Sequence, residues 1–139
     1  MYDRLMRASA PRVSDRTGEC HVYFEMYMEE ERIAIKILSH ESPQNVCGEG
    51  TFTHENVWVD DLEEILNNAM ASGREFSSSI FKKALPSDNN NSALLVAILR
   101  HLGILKRVGQ SGSYRSKAVK SIGTFKEEQR KILLNRNAA

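Results

Sequence analysis

The chain has 139 residues, 41% of them hydrophobic and 27% charged, the composition of one ordinary globular unit or two small ones sharing a core. No apolar run approaches the ~18 residues that cross a bilayer, the first residues lack the apolar core of a secretory signal, and Cys20 and Cys47 are too few for a disulfide scaffold. A cytoplasmic, reduced protein with no membrane partner is expected. The net charge of +1 conceals two opposite halves: residues 1–68 carry 14 acidic and 6 basic side chains, whereas residues 69–139 carry 4 and 13. A basic half points to a polyanion, because Lys and Arg clusters displace counterions from phosphates. The alternative is that the halves neutralise each other within one fold or across a homodimer.

In chain order, residues 1–17 hold four Arg with little periodicity and read as a flexible basic arm, or as a short helix at Tyr2–Ala8. From His21 to Met28 the pattern alternates. Val22, Phe24, Met26 and Met28 share one face, and His21, Tyr23, Glu25 and Tyr27 the other. Ile33, Ile35 and Ile37 likewise lie opposite Arg32, Ala34 and Lys36. Period-two alternation marks half-buried strands, and "EEE" at 29–31 joins them as an antiparallel hairpin. Pro43, Gly48 and Gly50 punctuate a loop, and residues 51–54 suit a third strand.

Trp58, Leu62, Ile65, Leu66, Ala69 and Met70 then form a helical stripe. Val57–Val59 also suits a last strand, with Asp60 as N-cap and Glu63 completing a capping box; Gly73 is the C-cap. A short helix follows, with Ile80, Phe81, Ala84 and Leu85 inward and Pro86 stopping it. A helix from Asn90 to Leu102 ends at Gly103. "ILKRV" is β-prone, "GQSGS" is a turn, and "YRSKAV" is a return strand. Thr124 to Glu127 opens a C-terminal helix with a modest apolar face of Phe125, Ile132 and Leu133.

The order helix, short helix, turn, helix, strand, glycine-rich tip, strand spans residues 60–119. Leu99, "RHL", Gly103 and Ile104 close the last helix, with Val96 one turn back. This pattern resembles the winged-helix family. The resemblance implies a third helix in the major groove of duplex DNA and a wing on the backbone or minor groove. The expected fold is α+β, an N-terminal β-hairpin or small antiparallel sheet packed with a C-terminal winged-helix unit and a terminal helix. The expected division is an arm at 1–17, the sheet at 18–55, the winged-helix-like unit at 56–119 and the last helix and tail at 120–139.

On this reading Asn89, Asn90 and Asn91 contact base edges or phosphates at the helix start. Lys106, Arg107, Arg115 and Lys117 anchor phosphates around the wing. Tyr114 packs on sugar, and Arg100 reaches the backbone from the helix end. The expected protein is a non-enzymatic DNA-binding regulator of transcription or replication, with dimerisation through the terminal helix.

One feature departs from the family pattern. "ALLVAIL", residues 93–99, is apolar all round, and such a helix is normally buried. Either the N-terminal hairpin or a second subunit covers it, or the fold serves protein interaction and this helix or the acidic face docks a partner protein. A third reading is single-strand binding by the N-terminal sheet, whose element order is similar to that of the single-strand-binding transcriptional coactivator domains. Tyr23 and Tyr27 would stack bases there, against an acidic background.

Cys20, His21, His40, Cys47 and His54 have zinc-ligand chemistry, but none of the tight ligand spacings, and the adjacent Cys20 and His21 would point to opposite faces of a strand. Asp60, Asp61, Glu63 and Glu64 answer a helix macrodipole. With no phosphate loop, nucleophile elbow or HExxH, no enzyme and no cofactor are expected.

Overall fold

The structure, a computed structural model, describes residues 3–11, 13, 21–41, 56–84, 89–110 and 113–138. Two sheets and three α-helices give an α+β fold. The first sheet is antiparallel, in the order β1 (Asp3–Pro11), β2 (His21–Glu29), β3 (Arg32–Glu41) and β4 (Asn56–Trp58). The alternation read in β2 is the alternation observed: Val22, Phe24, Met26 and Met28 are buried, facing Ile33, Ile35 and Ile37 of β3. Glu30 and Glu31 make the turn, both with positive φ, 49° and 69°. Such turns favour Asn-Gly, so two glutamates there carry backbone strain.

Over residues 3–11 the chain is strand β1, not the expected arm or short helix, and most of the remaining residues of 1–17 lie outside the described ones. Its period is broken by a bulge. Arg4 pairs with Tyr27 and Met6 with Met26, leaving Leu5 as the extra residue, buried with the core. The bulge puts Arg4 and Arg7, three residues apart, on the same outer face.

After β4 the chain makes a 3-10 turn (Val59–Leu62) and enters α1 (Glu63–Ser72). Trp58 is therefore in a strand, not the helical stripe. Asp60 caps nothing within α1. Its carboxylate accepts the Ile33 N–H at 3.1 Å and the Lys126 ammonium. Gly73, at φ 64°, closes α1 as expected. A second 3-10 segment (Ser78–Ala84) buries Phe81 edge-on to Phe76, and Leu85 and Pro86 lie outside the described residues.

Helix α2 (Asn89–His101) is the centre of the core. Leu94, Leu95, Val96, Ala97, Ile98 and Leu99 are each at most 2% exposed. The helix packs on β1 and β2, on the Phe81 segment and on β5 (Leu105–Arg107). Its all-round apolar surface is thus consumed within the chain, by the sheet on one side and the C-terminal elements on the other. The "RHLGI" that follows is a Schellman closure. The Ile104 N–H reaches the Leu99 carbonyl at 3.0 Å and the Gly103 N–H the Arg100 carbonyl at 3.1 Å, with Gly103 at φ 82°.

β5 pairs with β6 (Ser116–Ala118), and Phe76 exchanges two backbone hydrogen bonds with Ser116 on the other edge of β6. Helix α3 (Ile122–Ala138) starts before the expected Thr124. Ser121 is the cap: its hydroxyl accepts the Thr124 N–H at 3.1 Å, and Ile122 is already buried. Among the described residues, no helix is long and apolar enough to cross a membrane.

Candidate nucleic-acid interface

The β5–β6 hairpin gathers most of the residues expected to meet DNA. Register places Lys106 directly opposite Lys117, so both side chains leave the same face. Like charges directly opposite one another destabilise a strand pair. Neither lysine has an ion-pair partner among the described residues, and both are exposed. Arg107 is exposed beside them, donating through Nε to the Gly109 carbonyl at 3.2 Å. Arg115 is exposed and 3.4 Å from Glu75, a surface contact of little energy. Tyr114, 63% exposed, stands near the tip.

Hydrogen bonds tie the two strands together below the tip. The Ser113 hydroxyl donates to the Val108 carbonyl and accepts the Arg115 N–H, and the Val108 N–H bonds the Arg115 carbonyl at 2.9 Å.

One of the expected contacts has another role. Arg100 is engaged inside the protein. Its Nε donates to the Ser116 hydroxyl at 2.9 Å, and Nη2 to the Ser113 and Arg115 carbonyls at 2.9 and 3.0 Å. Burial, then the charge of Arg107 nearby, lowers its pKa. It fastens the hairpin to α2 instead of reaching for a backbone phosphate. Asn89, Asn90 and Asn91 form the first turn of α2, but their side chains lie outside the described residues. The middle of α2, being buried on all sides, offers nothing to a DNA groove.

Helix α3 is the other basic element, and its cations are largely committed. Lys126 meets Asp60, and Arg130 meets Glu127 at 2.9 Å and Glu31 at 3.7 Å, while Lys120 just ahead of the helix meets Glu128 at 2.7 Å. Arg136 donates to the Arg4 and Leu5 carbonyls at 2.8 and 3.1 Å, covering the bulged edge of β1. Burial raises the Asp60 carboxyl pKa, but the hydrogen bonds from Lys126 and Ile33, with the Lys126 charge, outweigh it and hold the group below the usual carboxylate range.

Sequence reasoning singled out Tyr23 and Tyr27 on the outer face of the four-stranded sheet but missed the cations that β1 adds to it. Arg4, Tyr27, Ala34 and Trp58 lie in register across it, with Arg7, Glu25 and Lys36 in the next row. The alternation of β2 was legible, but the β1 bulge hid the contribution of Arg4 and Arg7. Metal ligation has no support from the described residues, where no group of three or more His, Cys, Asp or Glu could hold an ion; Cys20, Cys47 and His54 lie outside them, as does the His40 side chain. Comparison with protein-family models, curated proteins and solved structures found no match.

Proposed function

We propose that the protein binds nucleic acid without catalysis, using the β5–β6 hairpin as a cationic wing on the phosphates of duplex DNA. The observation that carries this reading is the opposed pair Lys106 and Lys117. Two unmatched ammonium groups held side by side work against the hairpin's own stability, and a phosphate backbone is the partner that relieves them. Arg107, Arg115 and Tyr114 extend the same surface.

The mechanism is phosphate anchoring rather than base reading by α2. On α3, Lys126 and Arg136 are spent on the fold, so in this reading the wing carries the anchoring. A small regulator of transcription or replication, in the manner of a winged helix, fits this use of a wing. Protein docking through "ALLVAIL" is disfavoured by its burial within the chain.

The test is a duplex-DNA shift assay at low salt on the whole protein and on Lys106→Ala with Arg107→Ala. The expected result is binding that the double substitution weakens about tenfold or more. No binding, or binding that ignores the substitution, would sink the wing reading.

A further inference from the structure

The edge strand of a sheet keeps one row of backbone N–H and C=O groups unpaired, and proteins either blunt that row or use it to add a further strand. Strand β1 is such an edge, with β2 on its one side. In an antiparallel pair, residues alternate between bonding the neighbouring strand and turning their backbone away from it. Arg136 marks the phase in β1: it donates to the Arg4 carbonyl at 2.8 Å, on the side away from β2. Arg4, Arg7 and Ser9 stand opposite Tyr27, Glu25 and Tyr23, alternate residues of β2. Arg7 and Ser9 therefore turn their N–H and C=O groups outward as Arg4 does.

The edge is closed at both ends. Arg136 occupies the Arg4 and Leu5 carbonyls, and Pro11 has no N–H to offer. Between them the outward backbone groups of Arg7 and Ser9 meet no partner among the described residues.

The side chains along this stretch define the strand that fits it. On the inner side, Met6 and Ala8 pack against the core and stay half-open at the rim. On the outer side, Arg4 and Arg7 are exposed, and Arg136 stands beside them. Glu25, across from Arg7, is engaged by Arg4 at 3.7 Å and by the Tyr27 hydroxyl. Arg7 itself makes no ion pair among the described residues. A strand laid beside β1 sets its own alternate side chains against these two rows, one apolar and one cationic.

We infer that the edge of β1 is a docking site for an extended acidic peptide, whose backbone pairs with Arg7 and Ser9 as a further strand of the sheet. Its apolar residues cover Met6 and Ala8, and the acidic residues between them meet Arg4, Arg7 and Arg136. A second copy of this chain fits poorly, because pairing β1 with β1 brings the arginines of both copies together. The inference does not rest on the wing, since β1 and the β5–β6 hairpin belong to different sheets.

The test follows the fluorescence anisotropy of a labelled peptide of about eight residues, alternating glutamate and valine, titrated with the full chain. One control peptide has lysine in place of glutamate. Another is N-methylated at every residue, which keeps the side chains and removes the N–H groups. Expected is saturable binding of the glutamate peptide, with both controls weaker by about tenfold or more.

Arg7→Glu should reverse the preference towards the lysine peptide. Ser9→Pro removes an outward N–H without touching the bonds to β2 and should abolish binding, whereas Ser9→Ala should keep it. Lys106→Ala with Lys117→Ala should keep it too. Circular dichroism of each variant checks that the sheet is intact. No binding of the glutamate peptide, equal binding of its methylated form, or a preference unmoved by Arg7→Glu overturns the inference. So does a dimer of the free chain in sedimentation that Ser9→Pro dissolves, because the edge would then belong to a second copy.

Discussion

The β5–β6 hairpin and helix α3 come from the same basic half of the chain, yet their cations live in different surroundings. On α3 two of the long side chains are structural: Lys126 holds Asp60, and Arg136 covers the carbonyls of the β1 bulge. On the hairpin, Lys106 and Lys117 face each other with no acid to meet them among the described residues. Charge counted along a sequence therefore does not mark a binding surface. Pairing divides it, and the division predicts that removing charge does opposite things in the two places.

The largest effect should come from the α3 anchor. Lys126→Ala takes the one cationic hydrogen-bond donor seen among the described residues from the Asp60 carboxylate, and should cost about 1.5–3 kcal/mol in urea unfolding, as for a hydrogen bond to a charged group. The same contact should show in acid. The Asp60 pKa is depressed by folding, so its stabilisation is complete above the unfolded carboxyl value of about 3.9 and is lost as pH falls through the lower folded value. Asp60→Asn should therefore narrow its stability gap to the unaltered protein on acidification; a gap constant from neutral pH to below that range would contradict the ion pair.

Next in size is Arg136→Ala, which uncovers two edge carbonyls and should cost about 1 kcal/mol, visible as faster amide exchange in β1. On the hairpin the sign reverses. Lys117→Glu turns a repulsion into an attraction across the strand pair and should stabilise by about 0.2–1 kcal/mol while weakening DNA binding. Loss of stability there would mean that the lysines serve the fold.

Much of this organisation was legible in the sequence, for reasons that differ by element. The β2–β3 hairpin announced itself because its period of two is unbroken over the buried set, from Phe24 and Met26 to Ile33 and Ile35. Helix α2 and its Gly103 closure were legible for the same local reasons, and its apolar surround pointed to burial without deciding between the N-terminal hairpin, a second subunit and a partner protein as the cover.

Strand β1 was not legible, since the Leu5 bulge shifts the alternation midway and small residues at Ala8 and Ala10 give little signal. Arg100 has the look of a surface cation at a helix end. Only the fold brings Ser113, Arg115 and Ser116 within its reach. Trp58 suited both a last strand and the helical stripe with Leu62, and only the fold places it beside Ala34 on the sheet. Long-range register, which no local pattern encodes, decided each of these.

The central claim is that the hairpin's unmatched lysines are the phosphate contacts. It is tested most directly by the salt dependence of duplex binding, measured by fluorescence anisotropy for the full chain and for Lys106→Ala with Lys117→Ala. Each phosphate contact contributes about 0.9 to the slope of log affinity against log salt. The account predicts a slope shallower by about 1.8 in the double variant. An unchanged slope would contradict it.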